Sequence, residues 1–455
     1  LSIHSFPTRR SSDLKIQLSD HFTYFKLIRF VIPSIGMMVF TSVYGIVDGL
    51  FVSNVVGKTA FASINLVMPV EMIVGAIGFM IGTGGAALVA KTLGEQRRER
   101  ANQYFSMLIA ITAIAGIFIC ILAHVFMEKI CLALGADSSM ISACVTYGRI
   151  SMYFNVFFML QNCFQDFLIV AEKPHLGLLC TVIAGLSNIV LDALFIYVLG
   201  WGVAGAAIAT GISEAVGAII PLIYFIKPNS SLLRLVQTKL EFKPIIKACG
   251  NGISEMVTSI TSSFVSMFYN VQLIKYIGSD GVAAYGVLMY VLFIFAAIYI
   301  GYSMGCAPII SYHYGAQNPS ELRNILNKSF RLLAGTGFLM LIIGEVFARP
   351  LSLLFVGYDD ALTDMTVHAM RITTVCFVIL GINVFASSFF TALSNGWLSA
   401  VISFLRTFVF KLSFVILLPL IMGIEGIWWS NPLSEIIAFI ISIFFLSLMR
   451  KRYYY

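Results

Sequence analysis

Charge is what this 455-residue chain has least of: Asp, Glu, Lys and Arg make up 11% of it, against about 25% in soluble domains. Proline is scarce too, at 12 residues, and no low-complexity tail follows the last apolar run. The eight cysteines show no CxxC spacing and lie mostly inside apolar runs. They read as buried free thiols, with a Cys131–Cys144 pair left open. The six histidines are scattered, so no metal cluster is expected. No nucleophile, base and metal gather at one depth either, so the chain is not expected to be an enzyme. What the chain has instead is apolar bulk: 59% hydrophobic residues, 38 Phe and 19 Met, and a mean hydropathy of +0.92. That is the composition of an integral membrane protein.

The first fourteen residues stand apart. The stretch SFPTRRSSDL resembles one reading frame of a sequencing adapter and has no apolar core of a signal peptide. Residues 1–14 are therefore expected to be a non-native leader, with native sequence from about Lys15.

A helix needs about 20 apolar residues to cross a bilayer. Twelve segments qualify: 26–52, 59–84, 102–125, 138–168, 175–199, 203–226, 246–275, 281–310, 329–355, 363–392, 397–420 and 425–448. If the chain starts inside, the inner segments hold nineteen Lys and Arg, including Arg97, Arg98, Arg100, Lys243 and Arg450. The outer loops hold four: Lys58, Lys129, Lys275 and Arg349. This positive-inside bias places both termini in the cytoplasm of a multi-pass cell-membrane protein. It also accounts for the formal net charge of +7 without a nucleic-acid partner. GAALVAKT (85–92) comes close to a phosphate-binding loop, but it ends an apolar helix and has Ala90 where the loop needs glycine, so no nucleotide site is expected.

The second half repeats the first at an offset of 221. Gly57 matches Gly278, Ala62 matches Ala283, Gly84 matches Gly305 and Gly94 matches Gly315. GVAG (202–205) lies over GIEG (423–426), and Ser213-Glu214 over Ser434-Glu435. Six helices per repeat return the chain to its starting side, so the halves insert in the same direction. Parallel repeats of this kind are related by an axis along the membrane normal, with a cleft between them. The expected architecture is all-α: residues 15–226 form an amino-terminal lobe, 227–245 a linker, 246–449 a carboxy-terminal lobe and 450–455 a tail.

Within the apolar runs a few ionisable groups remain, and such groups are usually functional or paired. Asp48 in YGIVDGLFVS, Asn188 and Asp192 one turn apart, and Thr210 could all lie roughly 10–20 Å below the outer face at 1.5 Å per residue. Two carboxylates, an amide oxygen and a hydroxyl suit a hard cation, and two neighbouring carboxylates equally suit a shared proton. Glu214 and Glu435 are secondary candidates, with their neighbouring serines as simple hydrogen-bond partners. Glu71, Asp166, Glu345, Arg406 and Lys411 are also embedded, and the two bases are expected to pair with an acid or snorkel.

Three stretches carry a family resemblance: YGIVDGLFVSNVVG, GTGGAALVAKTLGE and SNIVLDALFIYVLGWGVAGAAIAT. In them the chain resembles the multidrug and toxic compound extrusion (MATE) family, over about residues 25 to 450. The resemblance implies a cation site in the amino-terminal lobe at Asp48, Asn188, Asp192 and Thr210, and a helix-1 hinge at Pro33. Some members also have an acidic helix-7 site. Glu255 lies several residues early for it and stays a secondary candidate. The repeat register puts Tyr269 opposite Asp48 and Ser413 opposite Asp192, so a single ion site is expected, in the first lobe.

The function implied is a proton- or Na⁺-coupled antiporter exporting lipophilic, often cationic compounds by alternating access, working as a monomer in membrane lipid and needing no other cofactor. Met37, Met72, Phe154, Phe157 and Met256 are expected on the walls of an adaptable cleft. The alternative is a flippase for a lipid-linked saccharide. It would need several Arg or Lys lining the cleft, whereas helices 1 to 8 offer only Arg149.

Overall fold

The computed structural model describes residues 16–56, 58–138 and 140–455, and the leader expected at 1–14 lies outside them. The described residues contain no strand. In chain order the helices are α1 (Tyr24–Val55), α2 (Lys58–Gly94), α3 (Arg98–Ala133), α4 (Ile141–Val170), α5 (Pro174–Asp192), α6 (Gly202–Ile226) and α7 (Phe242–Tyr276). Then follow α8 (Ser279–Gly315), α9 (Pro319–Val356), α10 (Asp360–Thr374), α11 (Phe377–Ala392), α12 (Gly396–Phe404), α13 (Lys411–Met422) and α14 (Ile424–Tyr453). Two π-helical turns, Ala193–Val198 and Leu405–Phe410, extend α5 and join α12 to α13.

These elements make the twelve expected crossings. The tenth is α10 and α11 together, bent by 50°, and the eleventh is α12, the second π turn and α13. Among the described residues ten crossings are long and apolar enough on their own, counting the bent pair as one. The two that fall short are α4 and α7. The second half of α4 is buried in protein over residues 159–170. In α7, three lysines sit near the ends, Lys243, Lys247 and Lys275, with Glu255 between them. Two boundaries differ from expectation. Helix α7 starts at Phe242, and α14 runs on to Tyr453, so residues 450–453 are helix rather than tail. All eight cysteines are free thiols.

The duplication is written into the backbone. Adding 221 to the bounds of α2 gives the bounds of α8. Gln96 and Gln317, repeat mates at the turns after these helices, both adopt positive φ, 61° and 52°. Gly202 and Gly423, mates at the starts of α6 and α14, have φ of 55° and 59°, a region where a side chain is strained.

The two halves meet near the face from which both chain ends emerge, called here the terminal face. A Cβ on Gly84 of α2 would collide with the Ala248 carbonyl and Gly252 of α7, and one on Gly252 would collide with the Met80 carbonyl. The mates of this contact lie between α8 and α1: a Cβ on Gly305 would press on Val31, and one on Gly301 on Ser34 and Ile35. Nearer the axis, a Cβ on Gly94 would strike the Tyr312 carbonyl. One on Gly315 would strike the Lys91 carbonyl, the same pair of positions exchanged between halves. Helices in lipid gain no hydrophobic energy from one another, so close approach through small residues is what holds them together.

A strap closes this face. Leu18 and Phe22, both fully buried, lie in the segment before α1. The Leu18 N–H donates to Glu172 in the α4–α5 turn at 2.7 Å. The Phe22 N–H donates to Glu321 at the start of α9 at 2.9 Å, beside the His21 ring at 2.7 Å. Asn324 and Lys328 of α9 donate to the Phe22 carbonyl. One short segment thus ties the first half to the second.

Two predictions follow the packing. Gly84→Ala should lower the thermal stability of purified protein, at a cost of about 1–3 kcal/mol for overpacking. Gly250→Ala on the neighbouring helix, with open space around it, should be neutral or stabilising, and an equal loss in both variants would refute the contact's role. Glu321→Ala should leave the buried Phe22 N–H without an acceptor, costing about 1–3 kcal/mol. Limited proteolysis should then cut between residues 16 and 23 faster than in the parent.

Candidate cation site

Helices α1 and α5 run side by side because Gly185 lets them approach: a Cβ there would meet the rings of Phe40 and Tyr44. One turn beyond Tyr44 stands Asp48, and two turns beyond Gly185 stands Asp192. The register set by the aromatic-on-glycine contact therefore brings the two carboxyls together, close enough for direct interaction between their side chains. Asn188 lies between Gly185 and Asp192 along α5. Asp192 and Asn188 are each only 1% exposed.

Their hydrogen bonding is incomplete. Both carboxyl oxygens of Asp192, Oδ1 of Asp48 and Nδ2 of Asn188 are buried without a hydrogen-bond partner. An unpaired buried polar group costs on the order of 1–3 kcal/mol, more when charged. Two adjoining carboxylates in this state call for a proton or a cation between them. Asp192 is also the last residue of α5 before the first π turn, a local widening often found at functional sites. Thr210, half-buried on α6, sits one turn before Glu214, and its carbonyl accepts from Ser213 at 2.7 Å.

Two more acids come near this pair: Glu71, which reads from the sequence as merely embedded, and Glu214, a secondary candidate. Glu71 of α2 lies within electrostatic reach of Asp48 and beside Ser151 of α4, and Glu214 lies within reach of Glu71 and of Tyr44. Tyr147 of α4 faces the same acids. Four carboxyls from α1, α2, α5 and α6 thus share one region of the first half, and among the described residues no ion pair engages any of them. The signal for Glu71 was present, since it is the one acid in the 59–84 run, but only the packing shows which way it faces.

The second half handles the same position differently. Glu435, mate of Glu214, is fully buried. It accepts from Arg406 Nε at 2.9 and 3.1 Å and from Asn383 at 2.8 Å, with Lys411 Nζ at 3.3 Å. It is therefore a saturated ion cluster rather than an open cation site, and Arg406 and Lys411 are its counter-ions. Arg406 lies inside the second π turn. Tyr269, opposite Asp48 in the repeat, is buried and stacked on Tyr285 with ring centroids 4.9 Å apart. Glu255 of α7 lies apart from the four acids. It is in electrostatic reach of Arg406 and, across the halves, of Asp166; Asp166 accepts from Thr83 at 3.3 Å.

Pro33 is buried within the α1–α8 contact, between Val31 and Ile35, and α1 continues through it. Of the expected cleft residues, Met37 is fully buried, its sulfur packed beside Gly177, so it serves the α1–α5 packing and not a wall. Phe154 packs on Gly211 of α6 and Phe157 against the α2–α4 core. Met72 is exposed and Met256 half-buried.

The MatE family model matches the chain twice, over residues 33–194 and again over 255–417. The two matches begin 222 residues apart, within one residue of the repeat offset read from the sequence. The multidrug export protein MepA of Staphylococcus haemolyticus (strain JCSC1435) is 22% identical over 431 residues, 94% of each chain. MepA of Staphylococcus aureus (strain MRSA252) is 21% identical over 430 residues, again 94% of each. Among solved structures, MATE in complex with MaL6 superposes with a TM-score of 0.89 at 21% identity, over 95% of this chain and 98% of that one. An outward-facing multidrug resistance MATE transporter gives 0.88 at 21% identity, with the same coverage. A Pyrococcus furiosus transporter described by the reverse polarity of its binding pocket gives 0.89 at 21% identity, over 96% and 98%. With the family model accounting for most of the residues in two tandem copies, over a fold of twelve crossings in two lobes, the chain belongs to the MatE family.

Proposed function

We propose that this protein is a cation-coupled antiporter that exports lipophilic, often cationic compounds across the cell membrane. Its termini lie in the cytoplasm, and its two lobes alternate access to a cleft between them. The observation that carries the reading is the pair Asp48 and Asp192, facing one another with buried oxygens that no protein group satisfies. The coupling ion is a proton or Na⁺, bound with help from Asn188 and Thr210. The multidrug export function in the names of the Staphylococcus relatives supports the cargo class.

Helix α1 links ion to movement. Above Pro33 it carries Asp48 against α5; around Pro33 it packs on Gly301 and Gly305 of α8 in the other half. An ion that draws Asp48 and Asp192 together acts on the helix whose lower part is the lobe contact. Ion and cargo are then linked through their different affinities for the two arrangements of the lobes. Neutralising the acids also removes the charge that would hold a cationic cargo.

The test is ethidium export from proteoliposomes under an imposed pH gradient and, separately, an Na⁺ gradient. Asp192→Asn should abolish gradient-driven export while keeping or raising thermal stability, because it removes an uncompensated buried charge. Unchanged export by this variant would sink the site. Glu435→Gln should behave in the opposite way. It breaks an ion cluster around a fully buried acid and leaves two partly buried cations unpaired, so it should cost up to about 3–5 kcal/mol of stability and reduce folded protein, rather than uncouple a folded carrier.

A further inference from the structure

The intramembrane base Arg149 has no place in the carboxyl site. It stands on α4 eight residues after the helix start at Ile141, about 12 Å along the axis at 1.5 Å per residue, near the end of the bundle opposite the terminal face. Ser142, Thr146 and Tyr153 on the same face of α4 are exposed, which puts Arg149 on the lipid side of the helix, next to α3. Its Nε is buried without a hydrogen-bond partner, and among the described residues no acid pairs with the guanidinium. A charge within the apolar layer is costly unless it finds a partner.

The internal repeat shows what this arginine lacks. His124 of α3 and Tyr153 of α4 are the mates of Glu345 of α9 and Thr374 of α10. Both pairs are hydrogen-bonded between their helices, Tyr153 Oη with His124 Nε2 at 3.3 Å and Thr374 Oγ1 with Glu345 Oε1 at 3.0 Å. Beside each pair stands an arginine: Arg149 in the first half and, one position further on in the repeat, Arg371 in the second. Arg371 has its anion, since its Nε lies 3.7 Å from Glu345 Oε2. In the first half the place of that carboxylate holds an imidazole.

The imidazole cannot serve as the anion. Its Nδ1 lies 3.2 Å from the Arg149 carbonyl, which only accepts, so Nδ1 carries the hydrogen. Its Nε2 then accepts from the Tyr153 hydroxyl, because a hydrogen on both nitrogens would set a second cation beside Arg149. The two rings, with centroids 4.6 Å apart, satisfy one another and leave the guanidinium alone. Glu128, one turn further along α3, is exposed, and among the described residues it makes no ion pair. From the level of His124 towards the middle of the bundle, Ile121, Ile117 and Ile114 form an exposed apolar row on α3. A lone guanidinium above such a row suits a negatively charged acceptor with a greasy remainder, and its planar fork matches phosphate.

We propose that the groove between α3 and α4 binds an anionic membrane phospholipid, with its phosphate on Arg149 and an acyl chain along the isoleucine row. The lipid brings to the first half the negative charge that Glu345 brings to the second. A zwitterionic lipid carries an ammonium beside its own phosphate, so a net anionic headgroup is the one that neutralises the arginine. The site is separate from the carboxyl cluster and rests on the membrane fold rather than on the transport reading.

The experiment is thermal unfolding and native mass spectrometry of the purified full chain with three additives at equal concentration: phosphatidylglycerol, phosphatidylcholine of the same acyl chains, and inorganic phosphate. Phosphatidylglycerol should raise the unfolding temperature by several degrees more than phosphatidylcholine, and inorganic phosphate should not raise it. Bases on the terminal face also attract anionic lipid, so the reading is the part of the shift that depends on Arg149. Arg149→Gln should weaken that part about tenfold in midpoint, the loss of one charge-assisted contact, and retain one phosphatidylglycerol fewer. Lys129→Gln, exposed at the same end of the bundle, should leave both readings in place. His124→Glu installs the second half's acid beside Arg149. It should raise the unfolding temperature in phosphatidylcholine and cancel the extra gain from phosphatidylglycerol, which keeps the site testable if Arg149→Gln folds poorly. A phosphatidylglycerol shift unchanged in both variants would overturn the site. So would equal losses of stability in Glu128→Gln and Arg149→Gln in either lipid, which would assign an ion pair within the chain. An equal effect of inorganic phosphate would overturn the lipid assignment in favour of a free anion.

Discussion

The structure depends on backbone meeting backbone around the axis that relates its two halves. At Gly84 against Gly252, and at Gly94 and Gly315 against the carbonyls of Tyr312 and Lys91, there is no room for a Cβ. Lipid supplies no hydrophobic drive between helices, so these contacts rest on dispersion and close fit. Each falls on the terminal-face halves of α1, α2, α7 and α8. Of the helices that carry the carboxyl site, α1 and α2 thus have their closest glycine contacts with the opposite half at one end. A contact that depends on fit rather than on strong bonds is also one that two lobes can exchange for another.

The halves share a backbone plan and differ in charge. In the first, Asp48, Glu71, Asp192 and Glu214 gather without a base among the described ion pairs. In the second, Glu435 keeps the place of Glu214 and receives a guanidinium and an ammonium from its own chain. Removing two charges from water costs several kcal/mol per ion unless geometry and hydrogen bonds repay it, and the Arg406, Lys411 and Asn383 contacts do so permanently. Among the described residues the first half has no such resident partner; on the proposed reading, the coupling ion takes that place.

Much of this was legible in the sequence. Ten of the twelve crossings follow from apolar length, counting the bent α10–α11 pair as one, and the repeat offset from a handful of glycines. Asp48 and Asp192 stand out because a charge inside an apolar run is expensive. The direction in which residues face was not legible. These helices are apolar on both their lipid-facing and protein-facing sides, so periodicity carries little information about orientation. Met37 accordingly reads as a wall residue and proves to be fully buried, while Glu71 reads as merely embedded and proves to face the site. The π turns after Asp192 and around Arg406 leave no mark on composition. The partners of Glu435 come from α11, the second π turn and α13, and no local pattern announces a contact between helices so far apart in the chain.

The duplication also shows what the fold constrains and what it leaves free. The segment before α1 crosses to the start of α9, where Glu321 receives it. The segment before α7 crosses to the start of α3, where Arg100 pairs with Glu241. Glu321 and Arg100 are repeat mates, as are Asp20 and Glu241, so one crossing geometry is kept while the sign on the receiving helix is reversed. Asn102 of α3 and Arg323 of α9, also mates, differ in the same way: an amide in one copy and a guanidinium in the other. Close packing of helices tolerates little change in backbone path, whereas a rim or capping position tolerates any chemistry that finds a partner. Each half therefore acts as an internal reference for the other, and the positions where their chemistry parts while their geometry agrees are those at which the two halves have different tasks.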